Sequence, residues 1–257
     1  MGETGRVALA VVFVSYNTKR LTALLLWSLY RVLEPRAASV IVVDNASTDG
    51  SADLLRQVRD AGLCTLIASS VNVGHGAALN LALNTEVVRG ASRAWILDSD
   101  CVIARSDAFS AALDMHPAAA LIGEGQWDPW HERRRLEAYS LVVDPIALGR
   151  PDIAAFVDGG DPAYELLVSA ERAGLAVADF PFTAEGFIIH LGRGSLAAVA
   201  GARDESHPLY AWAVGHNEPH FGGVNGARDH YALLVERFTE EVGEEPDLVS
   251  ALRGPRR

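Results

Sequence analysis

Short apolar runs in the first hundred residues constrain the fold more than any other feature of the sequence. The runs are VALAVVFVS from Val7, SVIVV from Ser39, CTLIA from Cys64 and AWIL from Ala94. The first run is continuously apolar and rich in valine, as a strand covered on both faces of a sheet should be. Segments whose apolar residues recur at helical spacing lie between the runs. This alternation predicts βαβ units and an α/β domain with a mostly parallel sheet.

Residues that start and end helices support this alternation. Thr18 is a suitable N-cap for the segment TKRLTALLLWSLYRVL, and Gly62 suits the position just after the second helix. In the second half, DPAYELLVSAERAG predicts a helix that Asp161 caps, with Pro162 at its first position and Gly174 after its end. The apolar spacing near the end of the chain predicts one more helix, up to residue 242.

The length of 257 residues, with 49% hydrophobic and 21% charged residues, allows one large α/β domain with a sizeable core. No internal repeat or obvious linker divides the sequence, so we expect a single domain, residues 1–257, with two unequal halves. Residues 1–103 would form the first half and residues 104–242 the second, followed by a polar, flexible tail at 243–257.

Charge and cysteine content narrow the classes of partner and the compartment. A formal net charge of −11 argues against nucleic acid, because its binders need a basic surface. Cys64 and Cys101 are not spaced as a metal knuckle or a redox pair, and they suit a reducing cytoplasm. The longest apolar runs are too short to span a bilayer, and the first lacks the features of a signal peptide. We therefore expect a soluble, cytoplasmic protein.

Polar residues follow three of the predicted strands at the point where each strand ends. They are Ser15-Tyr16-Asn17 after the first, Asp44-Asn45-Ala46-Ser47 after the second and Asp98-Ser99-Asp100 after the fourth. Each cluster alone would be explained by a turn or a helix cap, because Asp, Asn and Ser favour both. Together they stand at the carboxyl ends of parallel strands, where open α/β sheets bind their ligands. The three clusters therefore predict one ligand site.

Asp98 and Asp100 predict a metal ion at this site. Residues two apart in an extended chain project to the same side, so the two carboxylates would repel each other without a cation between them. Hard divalent cations prefer such oxygen ligands. A solvated strand end is the alternative explanation for the pair.

Four motifs in order resemble the inverting nucleotide-sugar glycosyltransferases of the GT-A fold, the family often called family 2. They are VVFVSYN, VIVVDNASTDGS, NVGHGAALN and WILDSDC, and they span roughly the first hundred residues. The segment from Asp158 to Ser195 resembles the family's second half more weakly, including its histidine in a later strand. The resemblance implies a GT-A (Rossmann-like) domain, with a mostly parallel central sheet flanked by helices and a smaller acceptor-side half.

The resemblance also implies roles for the residues of the three clusters. Asp44 would hold the base of the nucleotide. A divalent metal ion, Mn²⁺ or Mg²⁺, would bridge the two phosphates of the nucleotide. The metal ligands would be Asp98, which also contacts the ribose, Asp100 and, as a third ligand, His190. A buried structural histidine is the alternative for His190. The other residues placed beside the nucleotide are Ser15, Tyr16, Asn17, Asn72, Gly74 and Ser99.

An inverting transfer needs a carboxylate that takes the proton of the acceptor hydroxyl as it attacks the anomeric carbon. In the resembled family this base lies at or just before a helix in the second half, where the sequence offers Asp158, Asp161 and Glu165. The segment departs from the Glu-Asp and Asp-x-Gly patterns that many relatives carry. Asp161 is the preferred candidate because its place at the helix start would direct it to the cleft. A plain N-cap is its alternative role.

Two tryptophans, Trp127 and Trp130, stand in a predicted loop where this fold builds its acceptor wall. Aromatic faces suit sugars or flat aglycones, and core packing is the alternative for either residue. His216, Glu218 and His220 lie in a predicted loop of glycines and a proline, where we do not expect a second metal.

Other interpretations of these motifs fit less well. Gly74 and Gly76 form half of a dinucleotide fingerprint, but the pattern follows the third strand and has Leu79 where a third small residue is needed. A haloacid-dehalogenase-like phosphatase needs a lysine after its Asp-x-Asp motif, and Lys19 is the only lysine. A sugar nucleotidyltransferase needs a glycine-rich first loop, and this sequence has SYNTKR at that place. A nucleotide-sugar-binding protein without a catalytic base is the alternative from another class. The role of His75 stays open.

We therefore expect a metal-dependent glycosyltransferase of the hexosyltransferase type. It would move a sugar from a nucleoside diphosphate, of the UDP or dTDP type, to a hydroxyl of a small acceptor with inversion. Its partners would be this donor and this acceptor, with no nucleic acid and no membrane span. The chain is short for the fold, so a natural-product aglycone or a small glycan precursor fits better than a growing polymer.

Overall fold

Strands and helices alternate through the first hundred residues, as the sequence predicts. The computed structural model describes residues 9–33, 38–129, 131–158, 162–191, 236, 239–240 and 248–253. The strands in these ranges are β1 (Leu9–Ser15), β2 (Ala38–Asp44), β3 (Thr65–Ala68), β4 (Arg93–Asp98), β5 (Cys101–Ile103), β6 (Leu121–Asp128), β7 (Arg133–Val143), β8 (Val177–Asp179) and β9 (Ile188–His190). The helices are α1 (Lys19–Val32), α2 (Ser51–Asp60), α3 (His75–Leu83), α4 (Glu86–Gly90), α5 (Ala108–Met115), α6 (Pro145–Leu148), α7 (Tyr164–Arg172) and α8 (Leu248–Arg253). Of the helices described here, none combines the length and the apolar composition that a bilayer crossing requires.

Seven strands form one central sheet in the order β3-β2-β1-β4-β7-β6-β8. Strands β1 to β4 are parallel to one another, and β6 and β8 run in the same direction. Strand β7 is antiparallel to its neighbours β4 and β6. Helices pack on both faces of this sheet. The predicted α/β fold with a mostly parallel central sheet is therefore confirmed.

Strand β1 shows why the first apolar run contains no polar position. Val11 and Phe13 pack with α1 and α2 on one face of the sheet, while Val12 and Val14 pack with α3 on the other. All seven residues of the strand are buried. Each large apolar side chain buried in this way contributes roughly 1.5–3 kcal/mol relative to an exposed one. A strand with helices on both sides therefore gains stability from apolar residues at every position.

The hairpin of β6 and β7 is longer than the sequence predicts. Strand β7 covers all eleven residues Arg133–Val143, although in the sequence RRRLEAYSLVV only the end is an apolar run that predicts a strand. Trp127 lies in β6, where it pairs with Arg134, and not in a loop. The first part of β7 is polar because its arginines form ion pairs with Glu171, Asp179 and Glu137 instead of an apolar core. Apolar periodicity misses a strand of this kind.

Helix α7 begins later than the sequence predicts. Its N-cap is Ala163, and Pro162 lies in the preceding turn. The carbonyl of Pro162 accepts a hydrogen bond from the N–H of Val157 (3.2 Å), which ties Pro162 to the loop instead of the helix. The predicted cap, Asp161, lies outside the described residues. Gly174 follows the helix with a positive φ of 71°, as expected for a residue after a helix end.

Helix α8 lies within the segment that the sequence predicted to be a flexible tail. Its Leu248 and Leu252 are buried and belong to the core on the α1 side of the sheet. Residues four apart share one face of a helix, and Val249 packs against the same core, so three apolar side chains dock this helix. The structure corrects the prediction for these six residues. Of the helix predicted up to residue 242, residues 236, 239 and 240 are described, and they are helical.

The start of α3 lies very close to a segment of the second half of the chain. A Cβ atom on Gly76 would lie 2.6 Å from the backbone oxygen of Val157. One on Gly74 would lie 2.3 Å from a carboxylate oxygen of Asp158. Gly74 also has a φ of +91°, a conformation that glycine adopts readily. The two glycines therefore let the backbone of the second half pass directly over the start of α3.

We expect Gly76→Ala to lower the free energy of unfolding by about 1–3 kcal/mol, because the added methyl group meets a backbone oxygen that cannot rotate away. Gly90→Ala is the matched control. A Cβ there meets nothing within 4 Å, and alanine is favoured over glycine in helices by up to about 1 kcal/mol. Urea unfolding of both variants measures the difference. Equal stabilities would contradict the close approach at α3.

Candidate active site

The carboxyl ends of β1, β2 and β4 form the floor of the candidate site. Strand β1 lies between β2 and β4, so the order of the strands reverses at β1 and leaves a crevice beyond its carboxyl end. Ser15 pairs with Asp44 across β1 and β2, and Val14 pairs with Asp98 across β1 and β4. The three polar clusters that end these strands therefore meet at one edge of one sheet.

Asp44 is a buried carboxylate with an unused oxygen. The residue is 3% exposed, and its Oδ1 has no hydrogen-bond partner in the part of the chain that the structure describes. A buried oxygen without a donor costs free energy. A ligand that brings an N–H group to this oxygen would remove that cost, as the edge of a nucleobase does.

The residues after β1 connect the loops that line the crevice. The buried hydroxyl of Ser15 lies 3.0 Å from that of Thr22, so the Ser15 side chain serves contacts within the protein. Asn17, which has a positive φ of 53°, accepts a hydrogen bond from the N–H of Thr48 (2.7 Å) through Oδ1. Tyr16 between them is exposed. The ring of Tyr16 is therefore the surface that this loop offers to a ligand.

Asn45 is a site residue to which the sequence analysis gave no role of its own. Its buried side chain donates through Nδ2 to Asn72 Oδ1 (2.9 Å) and to the carbonyl of Gly74 (3.1 Å). Its Oδ1 accepts a hydrogen bond from the N–H of Val73 (2.9 Å). Asn45 thus fixes the loop before α3 against the end of β2. Its place beside Asp44 is the one sequence signal that points to it.

Pairing of β5 with β9 brings His190 to the predicted metal ligands. The two strands are antiparallel, and Cys101 pairs with His190. As a result, His190 Nε2 lies 3.3 Å from Asp100 Oδ1 and 3.8 Å from Asp98 Oδ2. Asp98 Oδ1 and His190 Nε2 are buried and have no hydrogen-bond partner among the described residues. Two carboxylate oxygens and an imidazole nitrogen that approach one another in this way fit a divalent cation. Ser99, which lies between the two aspartates in the sequence, does not take part in this group, since its hydroxyl lies 3.1 Å from the Thr18 hydroxyl.

The carboxylates raise the proton affinity of the two histidines beside them. Burial lowers the pKa of His190, but the charges of Asp100 and Asp98 outweigh burial, and this pKa lies above its usual value. The pKa of His75 is also raised, because burial is outweighed there by Asp98, whose Oδ1 lies 3.4 Å from His75 Nε2. Both imidazoles therefore offset part of the repulsion between the two aspartates.

Cys101 lies beside the metal candidates but is not suited to bind a metal. Its sulfur, a carboxylate oxygen of Asp100 and a ring nitrogen of His190 lie within 4.8 Å of one another. The fully buried thiol donates to the carbonyl of Tyr139 (3.3 Å). Burial, together with the charge of Asp100, raises the pKa of this thiol well above its usual value. Because the sulfur is directed to this carbonyl, the candidate ligands remain Asp98, Asp100 and His190.

The structure describes two of the three candidate bases. Asp158 lies beside the start of α3, where its Oδ1 accepts a hydrogen bond from the N–H of Gly76 (2.8 Å). Glu165 lies in the first turn of α7 and is exposed. Asp161 lies outside the described residues. Of the two described carboxylates, Asp158 is therefore the one in contact with the loop beside the crevice.

The predicted acceptor residues are described in part. Trp127 is 60% exposed, which excludes core packing as its role. Trp130 lies outside the described residues, as do His216, Glu218 and His220.

A family comparison agrees with this arrangement of strand ends. Residues 10–124 match the model of the family described as Glycosyl transferase family 2. The matched stretch includes every strand end of the crevice, from Ser15 to Asp100. The resemblance found in the sequence is therefore confirmed, and the family 2 match covers residues 10–124 of the chain. No curated protein matches the sequence.

Solved glycosyltransferase structures share the fold. The mannosyltransferase PcManGT from Pyrobaculum calidifontis, in complex with GDP-Man and Mn²⁺, is 19% identical with a TM-score of 0.55, and the match covers 97% of this chain and 87% of that chain. Glucosyl-3-phosphoglycerate synthase from Mycobacterium tuberculosis is 15% identical with a TM-score of 0.50, over 69% and 71% of the two chains. TarS 1-349 from S. aureus, in complex with UDP, is 19% identical with a TM-score of 0.49, over 64% and 54%. The match thus spans about half the length of that TarS chain. At these identities the similarity shows the GT-A fold.

We expect Asn45→Ala to lower the free energy of unfolding by about 1–3 kcal/mol, because the change removes the hydrogen-bond partner of Val73 and Gly74 in a buried place. The loop before α3 would lose its fixed position, so affinity for UDP should also fall. Asn84→Ala is the control, since Asn84 is exposed and bonds only within and just after α3. Thermal unfolding and calorimetry with UDP measure the two effects. Unchanged UDP affinity in Asn45→Ala would contradict this role of Asn45.

Proposed function

We propose that the protein is a metal-dependent glycosyltransferase that moves a sugar from a nucleoside diphosphate to a hydroxyl group. One observation carries the proposal. Asp98, Asp100 and His190 meet at the strand reversal point inside the stretch that matches family 2, where His190 Nε2 lies 3.3 Å from Asp100 Oδ1 and 3.8 Å from Asp98 Oδ2, close enough for one cation to lie between them. The match to structures of glycosyltransferases supports the same activity.

The charges of the chain explain why this activity needs a divalent cation. A donor diphosphate at the crevice would meet the carboxylates of Asp98 and Asp100, which repel it. A cation held by these two residues and His190 would neutralise the diphosphate as it leaves, acting as a Lewis acid. The nitrogen ligand favours Mn²⁺ over Mg²⁺, which takes oxygen ligands. The Mn²⁺ bound to PcManGT supports this choice.

The nucleotide would lie along the ends of β1 and β2. Asp44 would bind the base through its unused Oδ1, while Tyr16 and the loop at residues 72–74 would line the pocket. A uracil or thymine ring presents a single N–H group on its pairing edge, which matches one free carboxylate oxygen. We therefore propose a donor of the UDP or dTDP type.

The transfer would proceed with inversion at the anomeric carbon. The acceptor oxygen attacks this carbon, the bond from the carbon to the phosphate oxygen breaks, and a carboxylate takes the proton of the hydroxyl. Asp161 is the preferred base, with Asp158 and Glu165 as alternatives. The hydrogen bond to Gly76 supports Asp158, because it places a carboxylate of the second half beside the nucleotide loop.

The acceptor would be a small compound with a hydroxyl group. The exposed indole of Trp127 supports this, because its face suits a sugar ring or a flat aglycone. The free thiols of Cys64 and Cys101 support a reducing, cytoplasmic location.

We expect Mn²⁺ to increase the affinity for UDP, and Asp100→Asn to abolish that increase because the amide carries no charge to hold the cation. Calorimetric titration of UDP with and without Mn²⁺ measures the effect. Cys101→Ala is the matched control, since the neighbouring thiol donates to the carbonyl of Tyr139 and its loss should leave the Mn²⁺ effect unchanged. A normal Mn²⁺ effect in Asp100→Asn, or its loss in Cys101→Ala, would show that the ligands are assigned wrongly.

Amide substitutions at the three candidate carboxylates identify the base. Loss of the base should lower the rate of transfer by roughly two to four orders of magnitude and leave UDP affinity unchanged. We expect this of Asp161→Asn, with Asp158→Asn and Glu165→Gln as comparisons, and steady-state kinetics on a broad acceptor panel measure it. Full activity of Asp161→Asn would exclude it as the base. A wild type that binds nucleotide sugars but neither transfers nor hydrolyses them would favour a binding protein.

A further inference from the structure

The ring of His190 packs on a buried tyrosine that is not among the proposed ligands. The ring centroids of Tyr139 and His190 lie 4.2 Å apart, and the ring planes are inclined by 19°, so the rings are stacked. Tyr139 is 7% exposed. We propose that Tyr139, together with Glu124, is a positioning residue that orients His190 towards the metal. The inference rests on the proposed function, because it concerns a ligand of the proposed metal.

The hydroxyl of Tyr139 is anchored to the carboxylate of Glu124. Tyr139 donates a short hydrogen bond to Glu124 Oε2, and its oxygen also lies 3.2 Å from the Thr183 hydroxyl. Burial raises the pKa of Tyr139 well above its usual value, and the bond to Glu124 raises it further. Tyr139 therefore stays a neutral donor, and its ring is held at both ends, by the core and by Glu124.

Glu124 is itself held by three further donors. Its carboxylate accepts hydrogen bonds from the N–H of Thr183 (2.7 Å), from the Thr183 hydroxyl (2.7 Å) and from the N–H of Ala184 (3.1 Å). Thr183 and Ala184 belong to the turn that leads to β9. Glu124 thus joins β6, β7 and the approach to His190 through one carboxylate.

An irregularity in the sheet brings Glu124 and Tyr139 together. The register of β6 and β7 shifts between Gly123 and Gly125, so Glu124 stands at the irregular position. Gly123 pairs with Leu141 and Gly125 with Leu136, which leaves Tyr139 in the unpaired stretch opposite. Bulges re-aim side chains and are common next to active sites. The irregular pairing here lets the Glu124 side chain meet the hydroxyl of Tyr139, whose ring lies against that of His190.

The stack is the contact that sets the direction of the His190 ring. Ligating histidines are usually oriented by a hydrogen bond at their second ring nitrogen. In His190 the Nε2 atom faces Asp100 and Asp98, and the ring plane lies against that of Tyr139. With Tyr139 fixed behind it, the ring keeps Nε2 directed at the two carboxylates.

Three variants and one control of the whole chain test this role. Tyr139→Phe keeps the ring and removes its anchor, Glu124→Gln keeps the size and removes the charge, and Tyr139→Leu removes the ring. Tyr30→Phe is the control, because Tyr30 is also buried and donates its hydroxyl to a carbonyl, that of Leu63, away from the site. The dissociation constant of Mn²⁺ is measured by EPR titration in the presence of UDP.

We expect Tyr139→Phe and Glu124→Gln to raise the Mn²⁺ dissociation constant about tenfold, and Tyr139→Leu to raise it further. In Tyr139→Leu, the coupling of Mn²⁺ to the imidazole nitrogen should also weaken in the pulsed EPR spectrum. UDP affinity without Mn²⁺ should stay unchanged in all three, since neither residue contacts the nucleotide loop. Tyr30→Phe should lose stability and keep its Mn²⁺ affinity.

Unchanged Mn²⁺ affinity in the three variants, or an equal loss in Tyr30→Phe, would overturn the positioning role and leave the metal ligands as assigned. Failure of the wild-type chain to bind Mn²⁺ with UDP would instead overturn the proposed function, and this inference with it.

Discussion

The antiparallel pairing of β5 with β9 is the contact on which the candidate site depends. It brings His190 from the second half of the chain to Asp100, beside the end of the central strand that carries Asp98. Two carboxylates at one strand end repel each other, and an imidazole opposite them offsets part of that repulsion. The same charges raise the pKa of His190 and help to keep the Cys101 thiol protonated. The two carboxylates and the imidazole together therefore form the group of side chains that would bind a cation.

The nucleotide side of the crevice depends on close backbone packing. Asn45 holds the loop before α3 through three hydrogen bonds, and Gly76 lets the second half of the chain approach the helix start. Asp158 then accepts a hydrogen bond from that helix start. A carboxylate of the second half is therefore fixed to the loop that would hold the donor. This contact explains how a candidate base can lie near the loop that would hold the nucleotide.

Features with a local signal could be predicted from the sequence. The parallel strands follow from continuous apolar runs, and the site follows from polar residues such as Asp98 at the ends of those strands. The polar first part of strand β7 was missed because ion pairs, not apolar periodicity, hold it in place. Helix α8 was missed because it is short and is held by apolar contacts with distant parts of the chain. The roles of Asn45 and Tyr139 depend on contacts with distant segments, which a pattern within one window cannot show. For the same reason, the role of Glu124 cannot be predicted until the irregular pairing of β6 with β7 is known.

Anomalous scattering from crystals grown with MnCl₂ and UDP tests the central claim most directly, because it locates the metal without reference to activity. The account predicts one strong manganese peak within bonding distance of Asp100 and His190 and of both phosphates of UDP. UDP bound in the crevice without a manganese peak, or a peak held by other residues, would contradict it.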